Sequence, residues 1–197
     1  MIVTTNSVPR KFDYLFVAYR LELTTVNADL NPQMNKAYLS LGSNEGNRKQ
    51  WLAKALNLIE THSGEILQKS AVYKTAAWGI TDQPEFLNMA ISIRTSKTAE
   101  QMLHSILSIE TTLGRHRGVK WGPRIIDIDI LFFNDDILDT PELVIPHPYM
   151  QERRFTLTPL ADIAPDYIHP KLHKTIRELL EICPDTLEVV VSDANDD

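Results

Sequence analysis

Charged side chains are divided by sign in one stretch of the sequence, between residues 115 and 142. Residues 115–124 contain four cations and no acid: Arg115, Arg117, Lys120 and Arg124. Residues 127–142 contain six acids and no base: Asp127, Asp129, Asp135, Asp136, Asp139 and Glu142. Clustered cationic side chains suit a polyphosphate, and carboxylates suit the Mg²⁺ ion that accompanies it. The pattern therefore indicates a site for a metal-complexed polyphosphate.

Asp127 and Asp129 lie two residues apart in an apolar stretch that is typical of a strand. Because successive side chains of a strand alternate between its faces, both carboxylates point to the same face. Two like charges on a half-buried face repel each other and are costly to desolvate, which favours a neighbouring cation. A hard cation such as Mg²⁺ fits this requirement. The plain alternative is a solvated pair of aspartates that contacts arginines; the adjoining arginines and the turn at 121–124 favour the metal site.

The segments around this stretch alternate between strands and helices in the order β-α-β-β-α-β. Strands are predicted at 36–42, 66–74, 85–95 and 126–133. Helices are predicted from Asn47 to about Gly64 and from Thr98 to Gly114, each with a glutamine three residues after the capping side chain. The order is that of an α+β, ferredoxin-like two-layer sandwich with both helices on one face of the sheet. C-terminal additions are expected in 134–197: short strands, proline-rich turns and helices near 157–163 and 173–182.

Composition divides the chain into three parts. Residues 1–33 show no clear period and end at an Asn-Pro breaker, so we expect a poorly ordered extension, with an edge strand in 13–25 as the alternative. Residues 34–190 are expected to form the domain, and residues 191–197 a frayed acidic tail. The loop at 75–84 is too long for a tight hairpin, and loops of that length are usually functional or mobile.

The overall composition is that of a globular protein, since 43% of the 197 residues are hydrophobic and 23% are charged. A net charge of −6 opposes a general nucleic-acid binder. Cys183 is the single cysteine, which excludes an internal disulfide. No apolar run approaches the ~18 residues of a membrane span. We therefore expect a cytoplasmic protein without a membrane partner, and a monomer is the working hypothesis.

Ordered motifs along the chain resemble one enzyme family. The longest runs from Lys120 to Leu131 and contains the Trp-Gly-Pro-Arg turn and both aspartates. The others lie at 38–44, 73–79, 82–88, and 146–150 with 153–155, so that the motifs together cover about 36–165 in order. This set resembles the 6-hydroxymethyl-7,8-dihydropterin pyrophosphokinase family of folate biosynthesis. The resemblance also implies a ferredoxin-like fold.

The resemblance implies that ATP donates its β,γ-pyrophosphoryl group to the hydroxymethyl oxygen of the dihydropterin and that AMP leaves. Two Mg²⁺ ions are implied at Asp127 and Asp129, an arrangement suited to a reaction that depends on positioning and charge neutralisation. Catalytic phosphate contacts are implied for Arg115, Arg117 and Arg124. Further contacts with the co-substrate ATP are implied for Glu110, Trp121, Ile130, His147 and Arg153.

A pterin site is implied on the third predicted strand and the loop before it. Phe86 and Phe155 are implied to stack on the ring. Asn88 is two residues after Phe86, so that both face the same way, and its amide can donate and accept hydrogen bonds at a pterin edge. Main-chain and apolar contacts are implied for Thr75, Ala76 and Trp78.

Two other functions remain open from the residues. One is a ferredoxin-like nucleic-acid-binding module that uses 115–124 as its basic patch, which the acidic run at 127–142 opposes. The other is a Mg²⁺-dependent phosphotransferase that acts on another heterocyclic alcohol. Only Phe86, Asn88 and Phe155 distinguish that enzyme from the pterin enzyme.

Overall fold

The computed structural model of the protein describes residues 34–77, 83–115, 122–193 and 196. Its strands are β1 (Asn35–Ser43), β2 (Glu65–Lys69), β3 (Tyr73–Thr75), β4 (Phe86–Thr95), β5 (Asp127–Phe133), β6 (Leu138–Asp139), β7 (Val144–Ile145) and β8 (Val189–Val191). Its helices are α1 (Arg48–His62), α2 (Ala99–Thr112), α3 (Arg154–Ile163) and α4 (Ile176–Glu181), with a 3₁₀ turn at Met150–Glu152. Residues 1–33, including the alternative strand at 13–25, lie outside the described residues.

β1 lies between β5 and β4 in an antiparallel sheet. Beyond β4 the order continues through β3 to β8, and β2 pairs with another part of β4. The side chains of β1 explain its central position, because Ala37, Leu39 and Leu41 are fully buried on one face.

The single strand predicted at 66–74 is wrong, because β2 and β3 are separate. Both pair with β4: Lys69 is opposite Ile91, and Tyr73 is opposite Asn88. The chain therefore advances by four residues between these two pairs, whereas β4 advances by three. Ser70 lies at the break, where its Oγ accepts the N–H of Ala90 at 2.9 Å in place of a main-chain carbonyl. The extra residue is a bulge, and a bulge increases the local twist of the strand that contains it.

The two longer helices pack on the face of the sheet that carries Leu39. Their apolar residues form one core with the sheet: Leu52, Ala55 and Ile59 of α1, and Met102, Ile106 and Ile109 of α2. Thr98 and Gln101 form a full capping box at α2, whereas at α1 the Asn47 side chain accepts the N–H of Gln50 at 2.8 Å. Both helices on one face confirm the ferredoxin-like prediction.

A second core fills part of the opposite face of the sheet. Phe132 is buried there, with the rings of Tyr38 and Tyr167 at centroid distances of 6.1 and 4.6 Å. α3 and α4 cover these rings with Leu157, Leu160, Ile176 and Leu179. α3 begins earlier than predicted, at Arg154, because its first N–H donates to the distant Asp185 carboxylate at 3.0 Å. α4 begins later than predicted, after the capping box of Thr175 and Glu178.

The C-terminal residues extend the sheet past the expected domain boundary at 190. Val191 belongs to β8 and pairs with Tyr73, and the Ser192 N–H donates to the Val72 carbonyl at 2.8 Å. Three consecutive valines have high β propensity, which explains the strand. The expectation of a frayed tail from 191 is therefore wrong for Val191 and Ser192. Among the described residues, no helix is long and apolar enough to cross a membrane.

Candidate active site

The candidate site lies on the sheet face of the second core, where the end of β1 meets the first residues of β4 and β5. In the register of the sheet, Gly42 of β1 is opposite Asp127 on one side and Asn88 on the other. One cavity at this end is lined by most of the predicted residues: Gly42, Thr75, Ala76, Gln83, Phe86, Asn88, Arg124, Asp127, Asp129, Arg153 and Phe155. The structure thus brings both aspartates together with five of the six predicted pterin residues, namely Thr75, Ala76, Phe86, Asn88 and Phe155.

Two arginines contact Asp127. Arg115 Nη1 is 2.6 Å from Asp127 Oδ1, and Arg124 Nη1 donates to Asp127 Oδ2. Arg115 follows the end of α2, whereas Arg124 precedes β5, so the two guanidinium groups approach from different elements. Each of the three side chains is about one fifth exposed, with 21%, 21% and 22% of its surface accessible. Two of the predicted cations, Arg115 and Arg124, therefore lie beside the predicted metal ligand Asp127.

Glu110 is a buried residue of α2 that connects this helix to β5. Its Oε1 accepts the N–H of Ile128 at 2.8 Å and a hydrogen bond from Arg115. Burial raises the pKa of Glu110, while Arg115 and the Ile128 N–H act in the opposite direction. Glu110 therefore fixes Arg115, which also contacts Asp127. The predicted direct contact of Glu110 with ATP stays a prediction.

Asp129 lies one alternation along β5 from Asp127, opposite Ser40 of β1. Burial and the Asp127 charge raise the pKa of Asp129 to about 7, whereas the Arg153 charge lowers it. Within the described residues, no group of three or more carboxylate, imidazole or thiolate side chains is arranged to hold a metal ion. Mg²⁺ usually takes one or two protein carboxylates and completes its shell with phosphate oxygens and water. The two aspartates fit that ion, and the substrate would supply the missing oxygens.

The pterin side of the cavity is built on β3, β4 and the start of α3. The Asn88 Nδ2 donates to Thr75 Oγ1 at 2.7 Å, and both side chains are almost fully buried. A Cβ atom at Gly42 would lie 2.6 Å from Asn88 Oδ1, so the glycine leaves space beside that oxygen. Phe86 precedes Asn88 on the same strand face, and Phe155 enters from α3. The wall offers aromatic faces and an amide.

Asn44 is a site residue that the sequence did not assign, although it ends one of the resembling motifs. Its side chain is buried, and Nδ2 donates to Gln83 Oε1 at 3.1 Å and to the Pro84 carbonyl at 3.2 Å. Its Oδ1 accepts the Arg124 N–H at 2.8 Å. The amide therefore joins the segment before β4 to the segment before β5. A polar residue directly after a buried strand was the available signal.

The other predicted ATP residues lie in different places. Arg153 lines the cavity, and His147 is held at the neighbouring strand by its N–H, which donates to the Leu131 carbonyl at 3.0 Å. Ile130 packs in the core with α1 and α2, on the opposite face of β5 from Asp129. Its side chain is therefore turned away from the cavity. Three predicted residues lie outside the described residues: Trp78, Arg117 and Trp121.

Comparisons with known proteins identify the family to which the chain belongs. A sequence model of the 7,8-dihydro-6-hydroxymethylpterin-pyrophosphokinase (HPPK) family matches residues 38–165. A 2-amino-4-hydroxy-6-hydroxymethyldihydropteridine pyrophosphokinase of Bacillus subtilis is 46% identical over 130 residues, which are 66% of this chain and 78% of that protein. The enzyme of the same name from Methylorubrum extorquens is 45% identical over 148 residues, which are 75% of this chain and 92% of that protein.

A similar fold occurs in a crystal structure of Plasmodium falciparum HPPK-DHPS, with a TM-score of 0.65 at 22% identity over 78% of this chain and 46% of that chain. This likeness concerns the fold alone. The family match covers most of the chain, and the matched range of 38–165 includes every residue that lines the cavity. The chain therefore belongs to the 7,8-dihydro-6-hydroxymethylpterin-pyrophosphokinase family.

Proposed function

We propose that this ATP-dependent diphosphotransferase performs its reaction, the transfer of pyrophosphate from ATP to 6-hydroxymethyl-7,8-dihydropterin, at the cavity beside Asp127 and Asp129. The relatives support the reaction by their names. One observation supports its place: the two aspartates and the amide of Asn88 line the same cavity. A charged end and an aromatic end in one cavity suit a donor polyphosphate and an acceptor ring.

The charged end suits the phosphates of ATP. Asp127 and Asp129 would hold two Mg²⁺ ions, which supply Lewis-acid neutralisation of the phosphate oxygens when they are bound. Arg115 and Arg124 place guanidinium groups beside Asp127, where a phosphate would accept their hydrogen bonds. Arg117 belongs to the same cationic stretch, and Arg153 and His147 complete the proposed phosphate contacts.

The aromatic end suits the pterin. The wall formed by Phe86 and Phe155 has the π-faces that a flat ring needs for stacking. Asn88 keeps one amide proton on Thr75 and has its oxygen beside the space left by Gly42. That oxygen is proposed to accept a hydrogen bond from the amino-substituted edge of the pterin. A different heterocyclic alcohol would need to match this same edge.

The test is AMP release from ATP and 6-hydroxymethyl-7,8-dihydropterin by Asp127→Ala and Asp129→Ala. Each change should reduce turnover about a thousandfold or more, because it removes metal ligands at a site of charge neutralisation. Asp139→Asn, which changes an exposed acid of β6, is the matched control and should retain full turnover. Near-normal turnover of either alanine variant at saturating Mg²⁺ would contradict the assignment.

A further variant tests whether the acceptor is the dihydropterin or another heterocyclic alcohol. Asn88→Leu keeps the size of the side chain but removes the amide, and it should weaken pterin binding far more than ATP binding. If the protein instead turns over another heterocyclic alcohol faster than the dihydropterin, the acceptor is wrong. The absence of a nucleic-acid partner, the monomeric state and the cytoplasmic location stay predictions from the sequence.

A further inference from the structure

The C-terminal segment, residues 189–193 with Asp196, contacts cationic side chains of β3 and α1. Lys74 Nζ is 2.8 Å from Asp196 Oδ1, and this hydrogen bond lowers the pKa of Asp196 to about 2. Lys49 Nζ donates to the Asp193 carbonyl at 2.6 Å. The Asp193 N–H donates back to Asp196 Oδ2 at 2.8 Å, so the segment has its own turn. All of these residues of the segment follow the family match, which ends at 165.

Arg48 connects this segment to the wall of the cavity. Its Nη2 donates to the Asp196 carbonyl at 2.9 Å, and its Nη1 donates to the Glu85 carbonyl at 2.8 Å. Glu85 directly precedes Phe86, the aromatic residue that lines the cavity from β4. One planar guanidinium group thus holds the segment and the start of β4 at a fixed separation.

β8 provides a second connection to the same wall. It pairs with β3 so that Val189 is opposite Thr75 and Val191 is opposite Tyr73. Thr75 accepts the hydrogen bond of Asn88 and lines the cavity. The C-terminal segment therefore contacts the strand that carries Thr75 and, through Arg48, the residue that precedes Phe86.

We propose that the C-terminal segment positions the pterin-binding wall and that Asp196 is a positioning residue for pterin affinity. This inference rests on the proposed function. The proposal predicts an effect on pterin binding but not on ATP binding, because the charged end of the site is built on β5 and α2. β5 and β8 lie at opposite edges of the sheet. Loosening the β8 edge should therefore affect the pterin and leave ATP binding unchanged.

A surface ion pair of no consequence is the competing explanation. Most exposed ion pairs contribute little to protein stability. The Lys74–Asp196 pair is more enclosed, with 29% and 12% of the side-chain surfaces exposed, than the Arg94–Glu65 pair, with 51% and 54%. Arg94 and Glu65 join β4 to β2, away from the cavity residues of β4. Glu65→Ala is therefore the matched control.

The experiment uses the full chain and measures the KM for ATP and for 6-hydroxymethyl-7,8-dihydropterin. Asp196→Ala should raise the pterin KM about three- to tenfold, the range for loss of a positioning hydrogen bond, with the ATP KM and kcat unchanged. Lys74→Asp should have the same effect, and combining it with Asp196→Lys should restore most of the affinity. Glu65→Ala should change neither KM.

An unchanged pterin KM in Asp196→Ala overturns the proposal, and so does an equal rise of both KM values. Amide hydrogen exchange of residues 83–88 without substrates gives a readout that does not depend on the reaction. Exchange there should be faster in Asp196→Ala than in the wild type or in Glu65→Ala, and unchanged exchange also overturns the proposal. A wild type that releases no AMP, with the exchange effect present, contradicts the proposed function and leaves the positioning by the segment established.

Discussion

At the charged end, Asp127 and Glu110 each contact a cation, and Glu110 also contacts a main-chain donor. Asp127 contacts Arg115 and Arg124, and Glu110 accepts from Arg115 and from Ile128. Asp129 differs, because its carboxylate is buried beside Asp127 and its charge is disfavoured. Asp129→Ala should therefore raise the melting temperature of the metal-free protein. Asp127→Ala should not, since it leaves two guanidinium groups facing each other.

His147 is a residue whose charge state links the site to stability. Burial and the neighbouring Arg153 lower the pKa of His147 from 6.5 to about 4. The unfolded chain therefore takes up a proton as the pH falls below 6.5, whereas the folded chain does not until near pH 4. His147 stabilises the fold fully above pH 6.5, and this contribution decreases as the pH falls toward 4.

The change His147→Asn should remove this pH dependence. Between pH 7 and pH 5 the free energy of unfolding of the wild type should fall by about 1–2 kcal/mol more than that of the variant. Urea unfolding at the two pH values measures it. His62→Asn, at an exposed position of α1, is the control and should follow the wild type. Parallel curves for the wild type and His147→Asn would show that the buried imidazole does not titrate as described.

At the scale of elements, the ends of β1, β4 and β5 are held together by one side chain. Asn44 follows β1 and contacts Gln83 and Pro84 before β4, and Arg124 before β5. The pterin side and the phosphate side of the cavity therefore share an anchor. A change in this side chain should affect both substrates, in contrast to a change in the C-terminal segment.

The change Asn44→Ala should raise the KM for ATP and for the dihydropterin together, each about tenfold. It should also cost about 2 kcal/mol of stability, because the partly buried Arg124 N–H and the Pro84 carbonyl lose the partner that Asn44 provides. Kinetics with each substrate varied, together with thermal unfolding, measures both effects. Asn57→Ala, at an exposed position of α1, is the control. A rise in one KM alone would show that Asn44 supports only one side.

Elements were predictable from sequence where local signals determined them. The capping box of Thr98 and Gln101, and the alternation of Asp127, Ile128 and Asp129, are such signals. The break at Ser70 was not predictable, because it depends on a hydrogen bond with Ala90 of another strand. The early start of α3 depends in the same way on Asp185. Contacts between residues that are distant in sequence, including those of Asn44, could be identified only from the folded structure.

At the scale of the whole molecule, the part of the chain that the structure describes has two cores, one on each face of the sheet. Ile106 of α2 is buried in the first core, and Ile176 of α4 is buried in the second. The second core includes residues beyond the family match, which ends at 165. We therefore expect α4 to be required for folding, although this helix lies beyond the region of the family match.

Ile176→Ala should destabilise the protein about as much as Ile106→Ala, by about 2–5 kcal/mol, because each leaves a cavity in a closed core. Chemical unfolding measures the two free energies side by side. Ile182→Ala is the control, since 62% of this residue is exposed, and its effect should stay within about 0.5 kcal/mol. A much smaller cost for Ile176→Ala would show that the second core is dispensable.

Residues 1–33 precede the matched region, and their contribution stays a prediction from the sequence. A chain that begins at Met34 should equal the full chain in AMP release and in melting temperature, because this segment lacks the apolar periodicity of a packed element. A loss of several degrees would show that 13–25 packs as a strand. The comparison needs both chains purified in the same way.

Gly42 has a consequence for inhibitors. The space beside Asn88 exists because this residue has no side chain, and any larger residue would collide with the amide that the pterin is proposed to contact. Substitution of Gly42 would therefore be a poor route to resistance against an inhibitor that occupies no more space than the pterin ring. A change that excluded the drug would exclude the substrate as well. Compounds that extend beyond the substrate's outline would lack that protection against resistance.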